Sequence, residues 1–173
     1  IRIKNLETGE IYDEQIKNTT GGSTWANDNK TLYYTKKDPE TLRSFKIYKH
    51  ILGTDPKEDE LVYQEEDDTF NTYVYKSKSR DYIILGSHST LTTEYRYLDA
   101  DKPEEDFKIF QPRVRGMEYS ISHFEDNFYI VTNKDKATNF KLMKTPLGST
   151  TMENWVDVIP HRKDFLLEDI DIF

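Results

Sequence analysis

Ser23-Thr24-Trp25-Ala26-Asn27-Asp28-Asn29-Lys30-Thr31-Leu32-Tyr33-Tyr34-Thr35-Lys36 reads as a short strand, a polar turn and an apolar strand. Asn27-Asp28-Asn29 consists of residues that tolerate left-handed backbone and hydrogen-bond their own main chain, so it joins two strands tightly. Leu32-Tyr33-Tyr34-Thr35 is rich in the aromatic and β-branched types that favour strands. The arrangement returns twice, as Ser79-Arg80-Asp81 before Ile83-Ile84-Leu85-Gly86 and as Glu125-Asp126-Asn127 before Tyr129-Ile130-Val131-Thr132. Counted from their first residues, the three apolar strands follow one another after 51 and 46 positions. Repetition at roughly 40 to 50 residues, with several short strands per unit, is the mark of a β-propeller blade.

The rest of the chain divides on this period. Residues 1–17 read as two strands around Glu7-Thr8-Gly9-Glu10, a part-blade, and Asn18 to Gly22 as a polar connector. A first full blade, 23–66, holds strands at Ser23 to Ala26, Thr31 to Lys36, Phe45 to His50 and Leu61 to Glu65. A second, 72–111, holds Thr72 to Lys78, Tyr82 to Ser87, Thr93 to Leu98 and Phe107 to Phe110. A third, 116–160, holds Met117 to Ser122, Phe128 to Thr132, Asn139 to Lys144 and Val156 to Ile159, with an insertion at Pro146 to Asn154. Phe165 to Phe173 alternates imperfectly and reads as the first strand of a further blade. No window keeps the apolar spacing of a helix, although Pro103 to Phe107 has the composition of a single turn. The expected class is all-β, a partial propeller of about three four-stranded antiparallel blades with part-blades at each end. An antiparallel sandwich is the rival, since it uses the same strand lengths and turns.

Composition narrows function mainly by exclusion. The 173 residues suffice for one domain with a sizeable core. The absence of Cys removes disulfides, thiolate metal sites and Cys nucleophiles. A net charge of -8 argues against nucleic acid or an anionic membrane surface as partner, because both need clustered cations. No apolar run approaches the about 18 residues that span a bilayer. The acidic residues Asp59, Glu60, Glu65, Glu66, Asp67 and Asp68 lack the spacing of a calcium loop and read as a solvated face.

Catalytic signatures are missing. Gly21-Gly22-Ser23-Thr24-Trp25 has Trp where the final Gly of a nucleophile elbow belongs, and no phosphate-binding or H-E-x-x-H string occurs. His50, His88, His123 and His161 are too far apart in sequence to form an i, i+4 metal pair. Paired carboxylates of a glycosidase stay open, because their geometry is spatial. Trp25 and Trp155 are read as packing between sheets rather than stacking on sugar. Asn18-Thr19-Thr20 and Asn29-Lys30-Thr31 match the glycosylation acceptor pattern, which has consequences only in a secreted eukaryotic chain. Catalytic, cofactor and metal residues are therefore all expected to be none.

Longer strings carry a resemblance. Trp25 to Thr35, Thr41-Leu42-Arg43, Tyr48 to Thr54, Leu61-Val62-Tyr63, Ser77-Lys78-Ser79, Ser87 to Glu94, Pro112-Arg113, Phe128 to Asn133, Asn139 to Leu142 and Ile159 to Arg162 together resemble the propeller of the prolyl oligopeptidase family. The oligopeptidase B branch, also called protease II, is the most similar. The resemblance implies a seven-bladed parent propeller capping a C-terminal α/β-hydrolase domain with a Ser-Asp-His triad. It further implies hydrolysis of short basic peptides after Arg or Lys, with the propeller restricting access by large substrates. The expected compartment is the cytoplasm, with the periplasm as alternative. Nothing in these residues matches the hydrolase domain, so the chain is expected to be inactive alone. Two other readings stay open: a free-standing propeller-like binding or scaffolding module, and a propeller glycosidase. Open sheet edges are expected to let the fragment self-associate.

In a propeller the first strand of each blade borders the central channel. Tyr73, Tyr75 and Ser77 in one such strand, and Tyr119, Ile121 and His123 in the next, are the candidate channel-lining residues.

Overall fold

A computed structural model describes all 173 residues. Strands β1 (Arg2–Lys4) and β2 (Ile11–Gln15) form a two-stranded sheet. The first full blade is β3 (Thr19–Trp25), β4 (Thr31–Lys37), β5 (Ser44–Ile51) and β6 (Glu60–Gln64). The second is β7 (Asn71–Lys76), β8 (Tyr82–His88), β9 (Thr93–Asp99) and β10 (Lys108–Ile109). The third is β11 (Tyr119–Phe124), β12 (Asn127–Thr132), β13 (Lys141–Pro146) and β14 (Val156–Ile159). Every blade is an antiparallel meander in sequence order, and the fold is the all-β partial propeller read from the repeat.

Three apolar clusters hold the sheets together, one in each gap. Ile3 and Ile16 meet Leu32 and Tyr34 between the short sheet and the first blade. Tyr33 and Ile47 meet Val74, Ile83 and Leu85 between the first and second blades. Ile84, Tyr95 and Phe110 meet Tyr119, Ile121, Phe128 and Ile130 between the second and third. Neighbouring residues of β4 and β8 thus enter opposite gaps, because successive side chains of a strand point to opposite faces. That two-sided burial explains why these strands are continuous apolar runs.

The turns after the first strands of the first two blades have one geometry. Ala26 N–H donates to the Thr31 carbonyl, and Ser77 N–H to that of Tyr82, each over 2.8 Å. Asn29 and Arg80, each the third residue of its four-residue loop, have left-handed backbone with φ of 55° and 70°. The Asp28 carboxylate accepts the Lys30 and Thr31 amides at 2.9 Å each and so holds the first of these turns shut.

Several sequence expectations are corrected. Thr19 to Gly22, read as connector, opens β3; the pairing is irregular between Thr19 and Ser23. A Cβ on Gly22 would meet only ordinary contacts, 3.4 Å from Thr35 Oγ1 and 3.7 Å from the Val74 carbonyl, so the approach of the two inner strands does not itself demand glycine there. Phe165 to Phe173 forms no strand, since no neighbouring strand hydrogen-bonds to it. Pro103 to Phe107 makes turns without a helix, whereas short 3-10 turns occur at Pro56–Glu58, Lys134–Lys136 and Met152–Asn154. Trp155 is buried between the second and third blades, 5.5 Å from Tyr119 ring to ring, and Trp25 packs beside the first cluster.

Two stability outcomes are expected. Ile84→Ala empties a site only 1% exposed and costs about 2 to 5 kcal/mol in urea unfolding. Asn29→Ala loses about 1 kcal/mol, because alanine pays the left-handed penalty, while Asn29→Gly stays near wild type; equal losses would refute that assignment.

Candidate functional site

The inner strands β7 and β11 flank a cleft of about 630 Å³. Its floor is apolar, made by Ile84, Ile121 and Phe128, and Tyr75 and His123 line its sides. Ile170 to Phe173 run over its mouth, where Lys78 pairs with Asp171 and stands 3.8 Å from the Phe173 ring centroid.

All six candidate channel residues turn towards the space between the second and third blades. Tyr75, Ser77, Ile121 and His123 line the cleft. Tyr73 and Tyr119 lie deeper. The Tyr73 hydroxyl is 2.9 Å from that of Tyr95, and the Tyr119 hydroxyl donates to the Gln111 carbonyl and accepts the Tyr95 amide. Burial pushes the Tyr73, Tyr75, Tyr95 and Tyr119 phenols upward, so all four remain neutral donors near neutral pH. The alternate residues of β11, Ser120, Ser122 and Phe124, are half-buried on its other face.

His123 brings together groups that the sequence scan left apart. Its Nδ1 is 2.8 Å from Ser79 Oγ and 3.3 Å from Asp81 Oδ2, and its Nε2 is buried without a partner. A catalytic triad needs the serine on one ring nitrogen and the carboxylate on the other. Both approach the same nitrogen here, so the arrangement is not that of a triad. The cluster instead ties the second blade's turn to the third blade. Asn27 does the same one gap earlier, donating to the Arg80 carbonyl and Asp101 while accepting from Lys76 Nζ at 2.7 Å. Burial, and next the Arg80 guanidinium, hold the Lys76 ammonium below the usual lysine range.

Glu60, Glu66, Asp67 and Asp68 are exposed, as expected of a solvated acidic face, but Asp59 and, at the opposite end of the inner strands, Glu65 depart from it. Glu65 is only 4% exposed and grips Arg113 at 2.6 Å, while Arg113 stacks 3.6 Å over the Phe70 ring. Arg43 donates to the Glu65, Asp67 and Phe70 carbonyls. Asp59 likewise turns inward, with His50 Nδ1 at 2.7 Å and the Tyr34 hydroxyl at 2.8 Å. Both carboxylates are buried because their partners are present, and those partners are distant in sequence. Burial works to raise the Glu65 carboxyl, but the Arg113 guanidinium, the Tyr63 hydroxyl and the Asp67 amide outweigh it and leave it below the usual carboxylate range. No three His, Asp or Glu side chains gather to hold a metal ion.

This ladder of four-stranded meanders matches one family along its whole length. Residues 1–173 match the prolyl oligopeptidase N-terminal β-propeller domain. The chain belongs to the prolyl oligopeptidase family. The propeller is 40% identical to dipeptidyl aminopeptidase BI of Pseudoxanthomonas mexicana over all of this chain and 24% of that protein. It is 33% identical to Protease 2 of Moraxella lacunata over 98% of this chain and 24% of that one. Oligopeptidase B from Leishmania major superposes with a TM-score of 0.89 at 29% identity, over 96% of the propeller chain and 23% of its own. The chain therefore spans about a quarter of the length of the relatives it matches.

A depressed carboxyl stabilises the fold above the ordinary glutamate range and loses that contribution as the pH falls through its lowered value. Glu65→Gln is therefore expected to lower the urea midpoint at pH 7 and to converge with wild type as the pH falls from the ordinary glutamate range through the lowered range of the Glu65 carboxyl. A constant difference across that window would show that the Glu65 carboxylate is not responsible.

Proposed function

We propose that this propeller is the non-catalytic, substrate-gating domain of a serine oligopeptidase that hydrolyses short peptides after Arg or Lys. One observation carries the reading. The chain folds as a quarter-length propeller segment whose inner strands wall a cleft, and its Ser79-His123-Asp81 cluster lacks the geometry of a catalytic triad. The hydrolase domain would occupy the remainder of the parent chain, and the parent would work in the cytoplasm. The net charge of -8 favours approach of basic peptides. Likeness to proteins named Protease 2 and oligopeptidase B supports the preference for cleavage after Arg or Lys. The 40% identity to a protein named dipeptidyl aminopeptidase BI favours a second reading, removal of dipeptides from peptide N-termini.

In the whole parent protein, Tyr75→Ala opens the cleft wall without touching the reacting groups. The expected result is a several-fold gain in kcat/KM on peptides of about thirty residues containing Arg or Lys, with a short chromogenic Arg substrate unchanged. Equal effects on both substrates would refute gating. Product masses decide the specificity: release of successive dipeptides whatever their sequence would replace the Arg and Lys reading with the dipeptidyl one.

A further inference from the structure

On the face that carries the connectors between blades, three separate loops enclose a second pocket of about 650 Å³. They are the connector around Arg115, the loop from Asn133 to Phe140 and the insertion that carries Met152. Met117 is a buried residue of the floor, Met152 is half-buried, and the rim carries Arg115, Lys134 and Lys136.

Two acids, Asp135 and Glu153, also line the pocket, and each has a partner of its own. Asp135 takes Lys134 at 3.0 Å and Lys141 at 2.9 Å, and Glu153 accepts the Thr151 hydroxyl. Arg115 and Lys136 have no carboxylate within ion-pair distance, in a chain of net charge -8 where acids outnumber bases. The loop is also strained. Asp135, Lys136 and Phe140 all hold positive φ, at 58°, 62° and 57°, which non-glycine residues adopt at a cost and which concentrates where binding needs it. The turn leaves the Asp135 and Lys136 amides without a partner outside it. Successive amides in such turns form concavities that hold anions.

The geometry points to this pocket as a carboxylate-binding site. Arg115 and Lys136 neutralise the anion, the turn amides donate to it, and the methionine floor takes an apolar side chain next to it. Methionine's flexible, polarizable side chain adapts to varied apolar groups. The carboxylate belongs either to the free C-terminus of a short peptide or to an acidic side chain in the remainder of the parent. The site is separate from the cleft between β7 and β11 and independent of where the parent cleaves.

The test uses the whole parent protein and two probes, acetyl-Leu-Leu with a free carboxylate and the same peptide as its carboxamide, titrated by calorimetry in low salt. The expected result is at least about tenfold tighter binding of the carboxylate, as charge-assisted hydrogen bonds give. That preference should disappear in Arg115→Ala/Lys136→Ala, whose melting temperature should stay near wild type because both side chains are exposed. An internal carboxylate gives a different result: neither probe binds, and the same double substitution speeds hydrogen exchange of the amides at 133–140 with no peptide present. Either result supports the site and identifies the source of the anion. Equal affinity for both probes, or a preference that survives the double substitution, overturns it. So does failure of both probes to bind with exchange unchanged.

Discussion

The fold depends on burying the second strand of each of the first two full blades on both faces. A strand in an ordinary antiparallel sheet shows one face to the core and the other to water, which produces alternation. Here Leu32 and Tyr34 enter one gap and Tyr33 the next, and Ile83 and Leu85 divide from Ile84 in the same way. Each gap therefore depends on both sheets that border it. The first and fourth strands pack less completely and are more polar; pairing is irregular where a first strand meets a second at Thr19 to Ser23, where a third meets a fourth at Leu142 to Met143, and also between a second and a third at Lys36 to Lys37.

Polar side chains control the ends of the gaps while apolar ones fill their middles. Asn27 and His123 tie the turns on one side, and Arg43 and Arg113 tie the connectors on the other. Glu65 is central to the second set because it takes Arg113 from the following connector and the Tyr63 hydroxyl from its own strand. Such buried pairs add less stability than their short distances imply, since both partners lose water. Their value lies in fixing which loop meets which. The cleft between β7 and β11 inherits its shape from these contacts.

Most of the architecture was legible because its signals are local. The doubly buried strands stand out as apolar runs, and their turns advertise themselves through Asn, Asp and Ser residues that suit tight backbone. The strand at Thr19 to Gly22 was hidden because its sequence is polar and glycine-rich, without the aromatic and β-branched run that announces a strand. Glu65 and Asp59 resembled solvated acids because nothing near them in sequence announces a partner, and Arg113 lies 48 residues beyond Glu65. The meeting of His123 with Ser79, 44 residues earlier, is equally invisible before the sheets are stacked. Place in the blade singled out the candidate residues of the inner strands, but only packing shows that they turn into the gap between the second and third blades.

Fastening the two gaps between full blades at both ends of the inner strands has a mechanical consequence. A single central contact would let adjacent sheets rock about it, whereas two ties separated by the length of a strand resist that rotation. Angular errors accumulate as sheets are added around an axis, so a small tilt at one gap displaces every later sheet. The Asn27 and Arg43 ties beside one gap, and the His123 and Thr93 contacts beside the next, therefore act as angular stops. They make the stacking angle a property of individual side chains rather than of the apolar filling alone.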